Sequence, residues 1–108
     1  MAAQTHTIRT DEKGSFNEVT NFNSPLHWPI TVHNVYITIT APPSVKVDGS
    51  VVLSAAGKQT TAPVNASTGE KVSLGDWHIA ASNNTLTITG KTIPAKPNTD
   101  VVVNVDHS

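Results

Sequence analysis

The sequence is poor in the residues on which many protein activities depend. It has no cysteine among its 108 residues, so disulfides, thiol catalysis and thiolate metal sites are excluded. Only 14% of the residues are charged and the net charge is −1, which leaves no basic field for nucleic acid or an anionic membrane. No apolar run approaches the roughly 20 residues that a membrane-spanning helix needs. We therefore expect neither a nucleic-acid nor a membrane partner.

Helix-forming residues are also scarce, whereas β-branched residues are abundant. The chain has three Glu, two Gln, four Leu and one Met, against 13 Val, 7 Ile and 15 Thr. Branched side chains fit the pleated surface of a sheet, and Glu and Gln are the usual material of exposed helix faces. This composition predicts an all-β protein.

The longest strand-like run is PITVHNVYITITAPP, residues 29–43. Ile30 and Val32 are apolar on even positions, but Val35 and the apolar residues after it lie on odd positions. Because alternate residues of a strand point to opposite faces, one regular strand cannot bury both sets. The run therefore predicts a bulge, a bend or a change of sheet at His33-Asn34.

The remainder of the chain divides into short alternating runs separated by turn residues. We predict seven to nine strands forming an antiparallel, two-sheet, immunoglobulin-like β-sandwich, with a barrel as the alternative. Residues 1–15 are interpreted as an N-terminal arm or edge strand, and residues 16–108 as a single sandwich domain. Asp48-Gly49 is predicted to be a hairpin turn between strands 45–47 and 50–55, and Gly75-Asp76 a second turn. Residues 57–69 are expected to form a loop with at most one short edge strand.

Two long segments bear a family resemblance. The run WHIAASNNTLTITGKTIPAKPNTDVVVNV, residues 77–105, is similar to the end of cellulose-binding modules of families 2 and 49. The earlier run VTNFNSPLHWPITVHNVYITI, residues 19–39, is similar to their opening. Together the two segments cover about half of the chain. The resemblance implies a β-sandwich, polysaccharide binding and an extracellular location, although the first residues lack the apolar core of a signal peptide.

Three aromatic residues are candidates for sugar binding. Aromatic rings stack on the apolar face of a pyranose, while amides and hydroxyls satisfy the sugar hydroxyls. Trp28 lies in a proline-flanked loop and is expected to be exposed. Tyr36 shares its parity with Asn34, Thr38 and Thr40, opposite the apolar set, and is expected on a polar face. Trp77 shares its parity with Ile79, so it is either part of the ring platform or a core residue between the sheets.

Metal and catalytic chemistry have weak support in the sequence. His27, His33 and His78 would suit zinc or copper, with Asp76 orienting His78, but no spacing requires a metal, and we predict no cofactor. No Gly-x-Ser-x-Gly elbow or phosphate-binding glycine loop is present, and the carboxylates lie mostly in predicted turns. We therefore predict a protein that is not an enzyme.

Two functions fit these features. The first is a non-catalytic carbohydrate-binding module that recognises a cellulose- or chitin-like polysaccharide through Trp28, Tyr36 and Trp77, with Asn34, Thr38 and Thr40 as polar neighbours. The second is a structural or assembly subunit, of decoration or adhesion type, that associates with itself or other chains through exposed strand edges.

Overall fold

The computed structural model describes residues 4–21 and 28–107. These residues form eight β-strands: β1 Gln4–Arg9, β2 Ser15–Asn21, β3 Ile30–Thr40, β4 Lys46–Ala55, β5 Lys58–Ser67, β6 Lys71–Ile79, β7 Thr85–Ile93 and β8 Asp100–Asp106. No helix among the described residues has the length and apolar character needed to cross a membrane. His27, one of the three histidines that would suit a metal ion, lies outside the described residues.

The strands form two four-stranded antiparallel sheets. Sheet A has the order β1-β8-β3-β6, and sheet B has the order β2-β7-β4-β5. The predicted all-β, two-sheet antiparallel sandwich is confirmed. Its strand order is that of a jelly roll, which alternates strands from the two ends of the chain. This order refines the immunoglobulin-like label, because the immunoglobulin sheets group their strands as A-B-E-D and C-F-G.

The core fills the space between the sheets with side chains from alternate strand positions. Val101, Val103 and Val105 line the inner face of β8, and each is at most 1% exposed. Leu86 and Ile88 of β7, in sheet B, belong to the same core and are 0% and 3% exposed. Alternation of buried and exposed residues therefore holds on both central strands, as the period-2 pattern predicts.

The predicted break in the long strand is a pair of compensating bulges. Val32 lies opposite Trp77, Val35 opposite Gly75 and Tyr36 opposite Ser73. β3 thus has one extra residue between Val32 and Val35, and β6 has one extra residue, Leu74, between Ser73 and Gly75, so the original register returns at Tyr36. Both strands change parity at the same place, and both keep their apolar residues turned towards the core.

The predicted turn at Asp48-Gly49 was wrong. β4 runs through both residues, and the hairpin turn to β5 falls at Ala56-Gly57, between the paired residues Ala55 and Lys58. Gly49 lies opposite Gly90 of β7, where a Cβ on Gly49 would come within 1.9 Å of the Thr89 carbonyl oxygen. The glycine is required for the close approach of two backbones rather than for a turn.

Two further predictions differ from the structure. Residues 57–69, expected to form a loop with at most one short edge strand, do contain an edge strand, but it is the ten-residue β5, which tolerates Pro63 because one side of an edge strand needs no ladder hydrogen bond. Gly75-Asp76, expected to be a turn, lies inside β6 at the bulge. In both places polar and glycine residues mark a sheet edge, not the end of a strand.

Residues 4–15 belong to the sandwich. β1 pairs with β8 along its whole length and forms an edge of sheet A. The following turn is tied to the loop before β8: the Thr10 hydroxyl donates to the Lys96 carbonyl oxygen at 2.5 Å and accepts from the Thr99 amide at 2.8 Å. Of the two interpretations of this segment, the edge strand describes Gln4–Arg9.

Candidate functional site

The outer face of sheet A carries most of the predicted site residues. Tyr36, Thr38 and Thr40 alternate along β3 with the buried residues Val35, Ile37 and Ile39. Pairing extends this polar set across the sheet, because Tyr36 lies between Asp106 and Ser73, and Thr38 lies between Asn104 and Lys71. The sequence thus placed Tyr36, Thr38 and Thr40 on the correct face.

Tyr36 is half-buried and is held by charged groups from both neighbouring strands. Its hydroxyl donates a hydrogen bond to Asp106 Oδ2 at 3.3 Å, and Lys71 Nζ lies 3.9 Å from the centroid of its ring. The Asp106 charge is the main cause that raises the pKa of Tyr36 above 10.0, followed by burial and the hydrogen bond. The phenol therefore remains protonated and fixed, with an ammonium group over its ring.

Asn34 lies at the β3 bulge, with a left-handed backbone (φ 53°). Asp76 of β6 stabilises this geometry: its Oδ1 accepts from the Asn34 amide at 3.0 Å, and its Oδ2 lies 3.0 Å from His33 Nδ1. The His33 hydrogen bond is the larger cause, and the Asn34 amide the second, that lower the pKa of Asp76 below 3.8. The predicted pairing of Asp76 with His78 was wrong, because the bulge brings His33 to the carboxylate instead.

An open depression lies beside the bulge, lined by Asn34, Tyr36, Lys71 and Ser73. Sequence reasoning identified Asn34 and Tyr36 but not Lys71 and Ser73. The alternation of Lys71 and Ser73 with Val72 and Leu74 could have placed both on an outer face. Only the pairing of β3 with β6 shows that this face adjoins Tyr36.

The two tryptophans are in different environments. Trp28 is 59% exposed, as predicted, and lies two residues before β3. Trp77 is 1% exposed and packs in the core between the sheets. The inclusion of Trp77 among the sugar-stacking residues is therefore corrected: its parity with Ile79 places it in the core, where no ligand ring can reach it.

No group of three or more His, Asp or Glu residues within the described part of the chain is placed to hold a metal ion. His33 and Asp76 form a contact on the surface, with side chains 65% and 55% exposed. Around Tyr36, the outer face of sheet A offers amide, hydroxyl and phenol groups together with the Lys71 ammonium and the carboxylates of Asp76 and Asp106.

Comparisons with known proteins place this arrangement in the class of β-sandwich domains. No family model matches the chain, and no curated protein matches it. Among solved structures, the chain is similar to the Podospora anserina GH26-CBM35 β-(1,4)-mannanase, with a TM-score of 0.55 and 15% sequence identity. The match covers 98% of this chain and 28% of the mannanase chain. At this identity the likeness concerns the fold alone, and it gives no support to the finer resemblance to families 2 and 49.

Proposed function

We propose that this chain is a non-catalytic carbohydrate-binding module that contacts a polysaccharide with the outer face of sheet A. The observation that carries the proposal is the open polar depression formed by Asn34, Tyr36, Lys71 and Ser73. A hydroxyl-rich ligand needs donors and acceptors that are held in place yet reachable from solvent, and this depression provides both.

The residues of the depression have distinct roles in this proposal. The Asn34 amide and the Ser73 hydroxyl hydrogen-bond with sugar hydroxyls, and Thr38 and Thr40 continue the polar face along β3. The Tyr36 ring is the stacking surface, fixed by its hydrogen bond to Asp106. A sugar ring must replace Lys71 Nζ over that surface, which exchanges one exposed contact worth about 0.5–1 kcal/mol for a larger one.

Trp28 favours an extended ligand over a single sugar. It precedes Tyr36 by eight residues, which along a strand corresponds to a separation of up to about 26 Å. A polysaccharide running along β3 is long enough to contact both rings at any separation up to this limit. Trp28 is 59% exposed, so its ring is available for such a contact.

The fold neighbour supports the class of ligand. It is a β-(1,4)-mannanase that combines a GH26 hydrolase with a CBM35 module, and the match spans 28% of its chain. We infer that this chain corresponds to the binding part rather than to the hydrolase. A β-(1,4)-linked polysaccharide is then the expected ligand, and an extracellular setting the expected location.

The proposal is tested by depletion of the purified protein on insoluble cellulose, chitin and mannan. We expect wild-type protein to leave solution on at least one polymer, and Tyr36→Ala and Trp28→Ala each to bind about tenfold more weakly. Lys58→Ala, an exposed lysine at the β4–β5 hairpin, is the matched control and should bind normally. Thermal unfolding of each variant verifies that it is folded.

Absence of depletion on all three polymers would refute carbohydrate binding by this chain. Depletion that both aromatic substitutions leave undiminished would refute the sheet A face as a binding surface. No contact within the described residues specifically favours the structural or assembly function, so it is not proposed as a second candidate.

A further inference from the structure

On the outer face of sheet B, three adjacent rows of cross-strand neighbours contain no charged side chain. Pairing aligns the rows across all four strands in the order β2-β7-β4-β5. The three rows are Asn17-Thr89-Ser50-Pro63, Val19-Thr87-Val52-Thr61 and Asn21-Thr85-Ser54-Gln59. We call these twelve residues the neutral face, because none of them is Asp, Glu, Lys, Arg or His.

Charge returns immediately beyond the neutral face. The adjoining row contains Lys91 and Asp48. The outer face of sheet A, in contrast, has Lys71, Asp106 and the Arg9–Asp100 ion pair at 3.3 Å. The two broad surfaces of one sandwich thus differ in charge, and an uncharged partner bound to the surface of sheet B would bury no charged side chain of the neutral face.

The centre of the neutral face combines apolar and hydroxyl groups. Val19 is 62% exposed, the most exposed large hydrophobic side chain among the described residues. It lies opposite Thr87, which lies opposite Val52 on the next strand. Methyl groups can contact the apolar faces of sugar rings, while the flanking Thr, Ser and Asn side chains exchange hydrogen bonds with their hydroxyls.

A second copy of the chain is a poor occupant for this surface. Four strands spaced about 4.8 Å apart and three rows about 6.8 Å apart give roughly 400 Å² on each copy. Two such faces would bury about 800 Å² in total, below the 1,200–2,000 Å² of standard stable interfaces. This minimum area does not apply to a polymer, because a polymer can contact several sites at once and each contact adds to the overall affinity.

We infer that the neutral face is a second polysaccharide-binding surface, specific for uncharged polymers, on the side of the sandwich opposite the Tyr36 depression. This inference rests on the proposed function and extends it from one surface to two. A module with a ligand surface on each sheet would hold two polysaccharide chains at once, on either side of one domain.

The test places a charge on the neutral face, because an uncharged polymer would have to desolvate it. Val19→Asp and Thr61→Asp introduce carboxylates at exposed outer positions of the two edge strands. Thr60→Asp is the matched control, since Thr60 is exposed on the same strand but alternates with Thr61 and lies off the neutral face. Each variant is compared with wild type and Tyr36→Ala on cellulose and mannan, after thermal unfolding and sedimentation.

We expect Val19→Asp and Thr61→Asp each to weaken binding about fivefold, and Thr60→Asp to bind as wild type. Val19→Asp combined with Tyr36→Ala should lose binding altogether.

The second surface would be overturned, and the proposed function left standing, if Tyr36→Ala alone removed binding while Val19→Asp and Thr61→Asp left it unchanged. An equal loss in Thr60→Asp would also overturn it. A wild-type dimer that Val19→Asp dissociates would assign the face to a second copy. If wild type binds neither polymer, the proposed function is wrong, and the second surface is wrong with it.

Discussion

Single carboxylates and single glycines determine the local geometry of this sandwich. Asp76 is one example, because its two oxygens contact the Asn34 amide and the His33 ring across the bulge. Both contacts favour the charged carboxylate and lower the pKa of Asp76 below 3.8. The bulge that shapes the depression beside Tyr36 therefore depends on one ionised side chain.

Asp76→Asn is expected to lower the midpoint of thermal unfolding at neutral pH. The pKa of Asp76 is lower in the folded protein than in the unfolded chain. The ionised carboxylate therefore stabilises the folded state fully above pH 3.8, and this stabilisation is lost as the pH falls through the lower pKa of the folded protein. The difference between wild type and variant should accordingly shrink below pH 4. Melting curves from pH 7 to pH 2 measure this, with Asp48→Asn as a control; a difference independent of pH would contradict the assignment.

Gly49→Ala is expected to destabilise the protein by about 3 kcal/mol, since the new Cβ would overlap the Thr89 carbonyl and neither backbone can move without distorting the ladder. Gly69 offers the comparison, because it has a φ of +84° and open space around it. Gly69→Ala should cost about 1 kcal/mol through backbone strain alone. Urea unfolding of both variants separates the two effects, and equal losses would show that the close approach is not the cause.

At the scale of elements, the β4–β5 hairpin has a two-residue turn with an unusual first residue. Ala56 and Gly57 both have positive φ, at 51° and 79°, which defines a primed turn of the kind that favours Asn-Gly. Alanine is strained in this conformation, whereas asparagine adopts it readily.

Ala56→Asn is expected to raise the free energy of unfolding by about 0.5–1 kcal/mol. Ala56→Val is the opposing control, since a branched side chain tolerates positive φ least, and it should destabilise the hairpin. Urea denaturation of the three proteins measures both changes. If the valine and asparagine variants were equally stable, turn strain would not be the explanation.

For the whole molecule, the exposed strand edges determine whether it associates with itself. The edge strand β5 contains Pro63, and the edge strand β6 contains the paired bulges near Gly75. On the opposite side of the sandwich, the inward-facing pair His6 and Glu18 lies between β1 and β2, with Nδ1 and Oε2 3.3 Å apart. Proline, bulges and inward polar groups are all features that oppose edge-to-edge pairing.

We therefore expect the wild-type protein to sediment as a monomer. Pro63→Thr should increase association at high concentration, because it restores a backbone donor on the β5 edge. Thr60→Val, which raises β-propensity on the same strand without adding a donor, is the control. Sedimentation velocity over a concentration series measures this. A wild-type oligomer that both substitutions leave unchanged would contradict the role of Pro63.

The sequence determined the fold class and the faces of the longest strand. Alternation is a local property, so the even and odd apolar sets around His33-Asn34 were enough to predict a bulge, a bend or a change of sheet there. The set opposite Val35 was enough to place Tyr36 outward. The exposure of Trp28 followed equally from its proline-flanked loop. The resemblance to polysaccharide-binding modules led to a ligand class that remains a proposal.

Only the tertiary structure decided which strands are neighbours, and therefore what each outward residue contacts. Nothing local indicates that Lys71 lies over the ring of Tyr36, that Asp106 accepts its hydroxyl, or that Gly49 faces Gly90 rather than forming a turn. These contacts join residues more than thirty positions apart, through a strand order that alternates the two ends of the chain. Strand order is set by the burial of both sheets at once, so a reading of individual segments contains no signal for it.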